Sequence, residues 1–433
     1  MAIFATASVM LCYITKRENF IQLITLYSFL FLLFYILYNS ALDHQRIYLL
    51  VGCAFACRFL LLFSLPNLSD DYFRFIWDGQ LLHAGLLPFD QLPVHISPGN
   101  YLHYGLNKEV YTGLNSASYY SVYPPVLQLV FYLSTWFTNN TNGSLIIMKL
   151  IILLAETGNV YLMLKLLKCF KLPLKNVLLY VLNPLVIIEL CGNIHFESLM
   201  LFFLLLSVWF FISQKLLVSS ILFSLAVCTK LLPLMFLPFM FLLAGFKKGF
   251  IYCLSVCLIS SILFLPFISK GFIAHIFSSV SLYFQSFEFN AGIYYLVRWI
   301  GFKVIGYNII ASAGLLLSLI SFLTILIISV KNKNKDNYFT GLLFIITSYL
   351  LFTTTVHPWY LTSLVGLSVF TKYRFIIVWS ALIPLSYVTY KTIPYAENLL
   401  VVFLEYAAVF ICMAIEIYPI KTNAGKNLLN NNH

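Results

Sequence analysis

Charge is what this sequence has least of. Only 9% of its 433 residues are Asp, Glu, Lys or Arg, where a soluble domain carries about 25%. Acid is scarcer than base, 15 residues against 26, and only six are aspartates. With 61% hydrophobic residues and a mean hydropathy of +0.92, this scarcity excludes a water-soluble globule and specifies a polytopic membrane protein. The net charge of +11 does not imply nucleic acid, because the lysines are spaced between apolar segments, as loop charges are under the positive-inside rule. No nucleic-acid partner is expected. Also missing is a Gly-rich phosphate loop between a strand and a helix. The apolar start lacks a basic n-region and a small-residue cleavage site, so no cleaved signal peptide is expected. The nine cysteines mostly sit inside apolar runs. Cys53 and Cys57, like Cys253 and Cys257, are four apart on one helix face, without the flanking ligands of a zinc site; they read as small apolar packing residues. His83, His95 and His103 share no metal-ligand spacing.

What the chain does contain is a series of apolar segments. They run at about 2–15, 20–38, 46–65, 145–167, 175–191, 197–213, 216–230, 232–245, 250–268, 303–330, 338–356, 359–371, 374–391 and 398–418. This pattern predicts an all-α transmembrane bundle of about 12–14 spans. Two long stretches are too polar to span, 66–122 and 269–302. Between the first of these and the bundle, Tyr123-Pro124-Pro125 opens a short apolar stretch to about Phe137. Basic clusters occur at Lys165/Lys168/Lys171/Lys175, Lys247/Lys248, Lys331/Lys333/Lys335, Lys372/Arg374 and Lys421/Lys426. With all five in the cytoplasm, the segments alternate correctly provided that 123–137 is re-entrant or interfacial, bent in by its two prolines. Lys16 and Arg17 fit this scheme poorly. Four units follow: N-terminal helices 1–65, an outer loop with juxtamembrane helix 66–137, a bundle 138–420 and a cytoplasmic tail 421–433.

In this orientation the polar exceptions fall on one face. Four of the six aspartates, Asp70, Asp71, Asp78 and Asp90, lie within about twenty residues in the first outer loop. Paired carboxylates such as Asp70 and Asp71 suit a general base or a divalent-cation site; one of them can instead cap a helix beginning at Asp71. Arg74 and Asp78 complete the cluster, with Asp78-Gly79 also readable as a turn. Lys230 is the one lysine in the bundle body on the outer side, suited to a phosphate as a point charge or to snorkelling. His195 and Glu197 stand in a short outer loop and suit sugar hydroxyls or a phosphate, or form a plain polar turn. His357 precedes Pro358, which ends a helix there. Trp359 and Tyr360 suit sugar stacking or the interfacial aromatic belt. Glu288 and Arg298 read as structural. A transporter or flippase of a lipid-linked or polar solute is the competing class, but transporters gather ionisable groups at the midplane in repeated halves, and no repeat is visible.

The order Ser-Asp-Asp-x-x-Arg-Phe-x-Trp-Asp-Gly (69–79), Gly85-x-x-Pro88-Phe89, Tyr123-Pro124-Pro125, Asn183-Pro184, Gly192-Asn193-x-His195-Phe196-Glu197, Thr229-Lys230-x-x-Pro233, Phe289-Asn290 and His357-Pro358-Trp359-Tyr360-Leu361 resembles bacterial polyprenol-phosphate-mannose-dependent mannosyltransferases of the GT-C superfamily. The resemblance implies an inverting transferase of the bacterial cytoplasmic membrane. It would move a sugar, mannose by preference, from a polyprenyl-phosphate donor to a glycan or lipid acceptor on the outer face. It makes Asp70 the first choice of base and Asp71 its partner, with a divalent cation open to the pair. Lys230 then neutralises the leaving lipid phosphate, with His195 and His357 lining the site. Glu197 departs from the pattern, standing where the related motif usually has Asp.

Overall fold

The computed structural model describes residues 1–418, except 41, 97, 139 and 334–336 and the side chains at 102, 283 and 284. Lys335, Lys421, Lys426 and the 421–433 tail therefore lie outside the described residues. Those described form helices and connecting loops with no strand; an isolated bridge joins Phe289 to Thr355. Phe20–Asn39, Thr141–Cys169, Phe246–Phe267, Ile310–Lys331 and Leu399–Ile417 are long and apolar enough to cross a bilayer. Leu174–Val181 with Pro184–Gly192 makes a sixth span if that pair, bent by 50°, is counted as one. Most other apolar segments fold as helices of 10–17 residues, and the one at 359–371 as the nine-residue helix Tyr360–Ser368, all below the roughly 20 needed to cross a bilayer alone. The 12–14 segments visible in the hydropathy thus include several short or broken helices. The chain is an all-α, multi-pass membrane protein.

The break at Asn183-Pro184 has a local cause. Pro184 lacks the N–H that a continuous helix needs, and Asn183 Oδ1 accepts the N–H groups of Leu185 and Val186 at 3.0 and 3.4 Å, capping the second half. That half passes into a π-helical turn over Ile187–Gly192 and ends at Ile194 with φ +60°. A β-branched residue in the left-handed region is strained. Here it lies between Asn193 and His195 and turns the chain into the site.

Because lipid is as apolar as the helix surfaces, close packing and interhelical hydrogen bonds hold such a bundle together. Ser207 and Ser219 exchange hydroxyl-to-carbonyl bonds, both at 2.9 Å, and Tyr252 joins them. Arg58 and Glu156, both wholly buried, pair at 3.2 Å; Arg58 also donates to Val181 O at 2.7 Å. The basic ends of the helices collect away from the aspartate loop. Lys175 lies over the Tyr38 ring at 4.5 Å, Asn176 donates to Val369 O at 3.1 Å, and Phe339 stacks on Phe370 at 4.0 Å, beside Lys372.

The 66–122 stretch is not a simple loop. It contains the Asp71–His83 helix, which lies against the Pro125–Trp136 helix. Gly79 makes this contact possible: a Cβ there would stand 2.4 Å from Phe131 O. Asp78-Gly79 is therefore mid-helix rather than a turn. Pro125 opens its helix at a position where the missing N–H costs nothing. At 12 residues it spans about 18 Å, too short alone for a core of about 30 Å.

Candidate active site

The Asp71–His83 helix starts at the cluster. Asp70 is the residue before it, but its side chain makes no capping bond; Ser69 Oγ accepts the Asp71 N–H at 3.3 Å instead. Asp70 Oδ2 pairs with Arg17 Nη2 at 2.7 Å. Arg17 in turn lies over the Tyr390 ring at 4.9 Å and donates to Tyr395 OH at 3.3 Å. This accounts for a cation that fits the positive-inside pattern poorly: Arg17 is the counter-ion of Asp70. Asp71 interacts with Lys230 and also with the Tyr390 ring beside Arg17. Burial pushes its carboxyl up to about 6; the Asp70 and Glu197 charges add to this, and Lys230 and a hydrogen bond from Asn115 oppose it.

Lys230 ends the Leu216–Thr229 helix in extended backbone, where Leu231-Leu232-Pro233 breaks the segment. Its ammonium is paired with Glu197, the buried first residue of the Glu197–Ile212 helix. Around this pair is a cavity of about 320 Å³, lined by Tyr123, Met200, Leu232, Met235, Tyr349 and Tyr360 among others. A second cavity of about 340 Å³ shares Met235 and Tyr349 with it. This second cavity runs on between Phe322, Ile325 and Phe352. The two make an apolar groove with a single cation at its polar end.

Behind Lys230 four rings stand in a stack. His195 stacks on Trp359 at 3.8 Å, Trp359 on His357 at 4.4 Å, and His357 on Phe289 at 4.7 Å. Burial, reinforced by Lys230, holds His357 at about 3 and His195 well below the ordinary histidine range. Both imidazoles are thus neutral, able to donate or accept but not to supply charge. His195 Nε2 lies 3.8 Å from Glu189 Oε2, and Glu189 is itself held by Tyr27, Tyr387 and Asn193.

The structure brings Asp70, Asp71, His195, Glu197, Lys230, His357, Trp359 and Tyr360 together, but it gives three of the expected substrate-binding residues other work. Arg74 and Asp78 form a buried pair at 2.7 Å. Arg74 also donates to Ser116 O and Tyr119 O, and Asp78 accepts from Ser121 Oγ and Gln128 Nε2. They clasp the returning loop to the helix and do not face the cavity. Truncating one partner of a buried pair strands the other charge, so Asp78→Ala is expected to destabilise the protein by about 3–5 kcal/mol. Thermal unfolding in detergent would show this, and an unchanged midpoint would refute it. Trp359 has both faces covered by imidazoles, so it spaces His195 from His357 rather than stacking on a sugar. Nor is Lys230 the one lysine at depth. Lys149 is also buried, donating to Leu61 O, Ser64 O and Ser64 Oγ at 2.6–2.8 Å, and so ties the end of the His44–Leu60 helix to the approach to Ser69. As for a cation on Asp70 and Asp71, no group of three or more His, Cys, Asp or Glu with metal-binding geometry occurs among the described residues, and Arg17 engages Asp70.

The comparison with protein families decides the class. The model of the alpha-(1->6)-mannopyranosyltransferase N-terminal domain matches residues 19–245, just over half of the chain. The chain belongs to this GT-C mannosyltransferase family. No curated protein matches it. As a mannosyltransferase in a bilayer, it works on a sugar donor and an acceptor. The match takes in Asp70, Asp71, His195, Glu197 and Lys230, and leaves Arg17, His357, Trp359 and Tyr360 outside. Sequence reasoning passed over Arg17, Asn115 and Glu189. Only Arg17 carried a signal, its misfit with the charge pattern.

Proposed function

We propose that this mannosyltransferase takes mannose from a polyprenyl-phosphate donor and passes it, with inversion, to a glycan or lipid acceptor on the outer face of the bacterial cytoplasmic membrane. The observation that carries this reading is the groove: an apolar path between helices that ends at Lys230, next to a carboxylate with a raised pKa. A prenyl chain suits the apolar part. Lys230 has three N–H donors, of which Glu197 takes one, and the rest suit phosphate oxygens. Asp71 replaces Asp70 as the preferred base. Asp70 is neutralised by Arg17, whereas Asp71 is poised near working pH. In the reaction the acceptor oxygen attacks the anomeric carbon as Asp71 takes its proton. The bond from that carbon to the phosphate oxygen breaks, and Lys230 offsets the charge on the departing lipid phosphate. His195 and His357, kept neutral, offer hydrogen bonds to the sugar. Segment 66–137 supplies the base and 138–420 supports the groove. The lysine-rich helix ends opposite the site support an outward orientation.

The test is transfer by the purified protein in proteoliposomes, offered radiolabelled polyprenyl-phosphate sugars beside nucleotide sugars. Mannose transfer from the lipid donor is expected. Transfer from nucleotide sugars alone would overturn the lipid-donor mechanism.

A further inference from the structure

A third cavity, of about 550 Å³, shares no lining residue with the groove and borders the aspartates through Arg17. It is bounded by Glu288, Phe289, Arg298, Tyr390, Tyr395 and Glu397, among others. None of these residues lines the groove at Lys230. Two contacts tie the cavity to the reacting centre. Arg17, the counter-ion of Asp70, lies over Tyr390 and bonds to the Tyr395 hydroxyl. Phe289 is the last ring of the stack that begins at His195. A molecule in this cavity would sit against the same centre as the donor, through residues that the groove does not use.

Given the lipid-donor reading above, on which this inference rests, we infer that this cleft receives the acceptor, and that it takes a neutral, polyhydroxylated glycan end. The volume is that of a small-molecule site, about 300–1,000 Å³. Tyr390 and Tyr395 meet edge to face at 5.0 Å and offer aromatic surface, with Tyr395 55% exposed. Glu397 accepts the Asn290 N–H at 2.8 Å and keeps its other oxygen buried, so it fixes the wall of the cleft and leaves the tyrosine rings as its sugar-facing surface. The one cation in the lining, Arg298, is consumed by Glu288 at 2.6 Å. An anionic ligand would therefore meet a surface with no spare positive charge, the reverse of the Lys230 end. The two cavities divide the substrates by charge, phosphate to Lys230 and uncharged saccharide to the tyrosines. They also divide the chain: apart from the Arg17 link, this cleft is built from residues beyond 245, where the family match ends. Acceptor choice thus resides in the C-terminal part.

The experiment uses α-1,6-linked mannobiose as acceptor probe with the full-length protein, read as separate KM values for acceptor and donor. Tyr395→Ala removes an exposed ring, so the fold is expected to persist, and thermal unfolding checks this. The acceptor KM should rise about tenfold, the scale of one lost aromatic contact, with donor KM unchanged; Tyr395→Phe should restore most of the affinity. An acceptor KM that stays at the wild-type value in Tyr395→Ala would overturn the assignment. If wild type takes no lipid donor, the mechanism above fails, and binding of mannobiose is then followed by saturation-transfer NMR. Binding weakened by Tyr395→Ala keeps the cleft; binding unaffected by it, or absent, removes it.

Discussion

Asp71→Asn lowers kcat for mannosyl transfer by about 10²–10⁴-fold, the usual contribution of a positioned general base, while the protein folds normally. Asparagine keeps the shape and the contact with Asn115 but cannot take a proton. The same assignment fixes a pH dependence. The Asp71 carboxyl is raised to about 6, and a base works only when ionised. In wild type, kcat/KM should therefore climb as pH rises through about 6 and level off above it. His195 and His357 are held far below that range, so they add no step to this limb. Asp70→Asn should cost less, because it weakens the tie to Arg17 without removing the base. If Asp71→Asn and Asp70→Asn both transferred at the wild-type rate, neither carboxylate of the pair would be the base and the mechanism would have to be abandoned.

Lys230→Met is the second large effect. Methionine fills much of the lysine's volume without its charge. The loss expected is about 10²–10³-fold in kcat, the scale of one missing donor to a developing negative charge. Because Glu197 would be left buried and unpaired, its pairing has to be separated from the catalytic role. The double variant Lys230→Met with Glu197→Gln removes the stranded charge and should recover thermal stability but not activity. Recovery of both would reduce Lys230 to a structural ion-pair partner. A second reading comes from leaving-group ability: with a donor whose phosphate leaves more readily, the deficit of Lys230→Met should shrink, since less charge then needs stabilising.

Hydropathy and charge were enough to make the class legible, because a bilayer leaves a chain few options: its backbone must be satisfied within helices. The same constraint made Lys230 conspicuous. Contacts between distant segments were a different matter. Arg74 and Asp78 looked like site residues because they share a stretch with Asp70 and Asp71, yet the helix turns them towards 116–128, and only the folded loop shows what they hold. In the sequence Trp359 suits sugar stacking or the interfacial belt, since no sequence pattern predicts that two histidines 162 positions apart, His195 and His357, will close on its faces. The bend at Asn183-Pro184 and the π turn after it look like an ordinary apolar run, although they aim His195. Hydropathy located most helices, but its segment at 303–330 runs across the gap between Gly292–Val304 and Ile310–Lys331. Nor did it show the ability of each segment to cross, since helices of 10–17 residues leave nearly the same trace as full spans.

The link between Arg17 and Asp70 bears on how the protein should be cut. The family match begins at residue 19, a natural place to start an expression fragment. Such a fragment would keep every charged residue that the match covers, yet lose the guanidinium that neutralises Asp70 and props Tyr390 and Tyr395. Asp70 would then stand as an uncompensated anion beside Asp71, making that carboxyl harder to ionise. Designs that respect the chemistry rather than the family boundary must therefore retain the first helix and the turn after it.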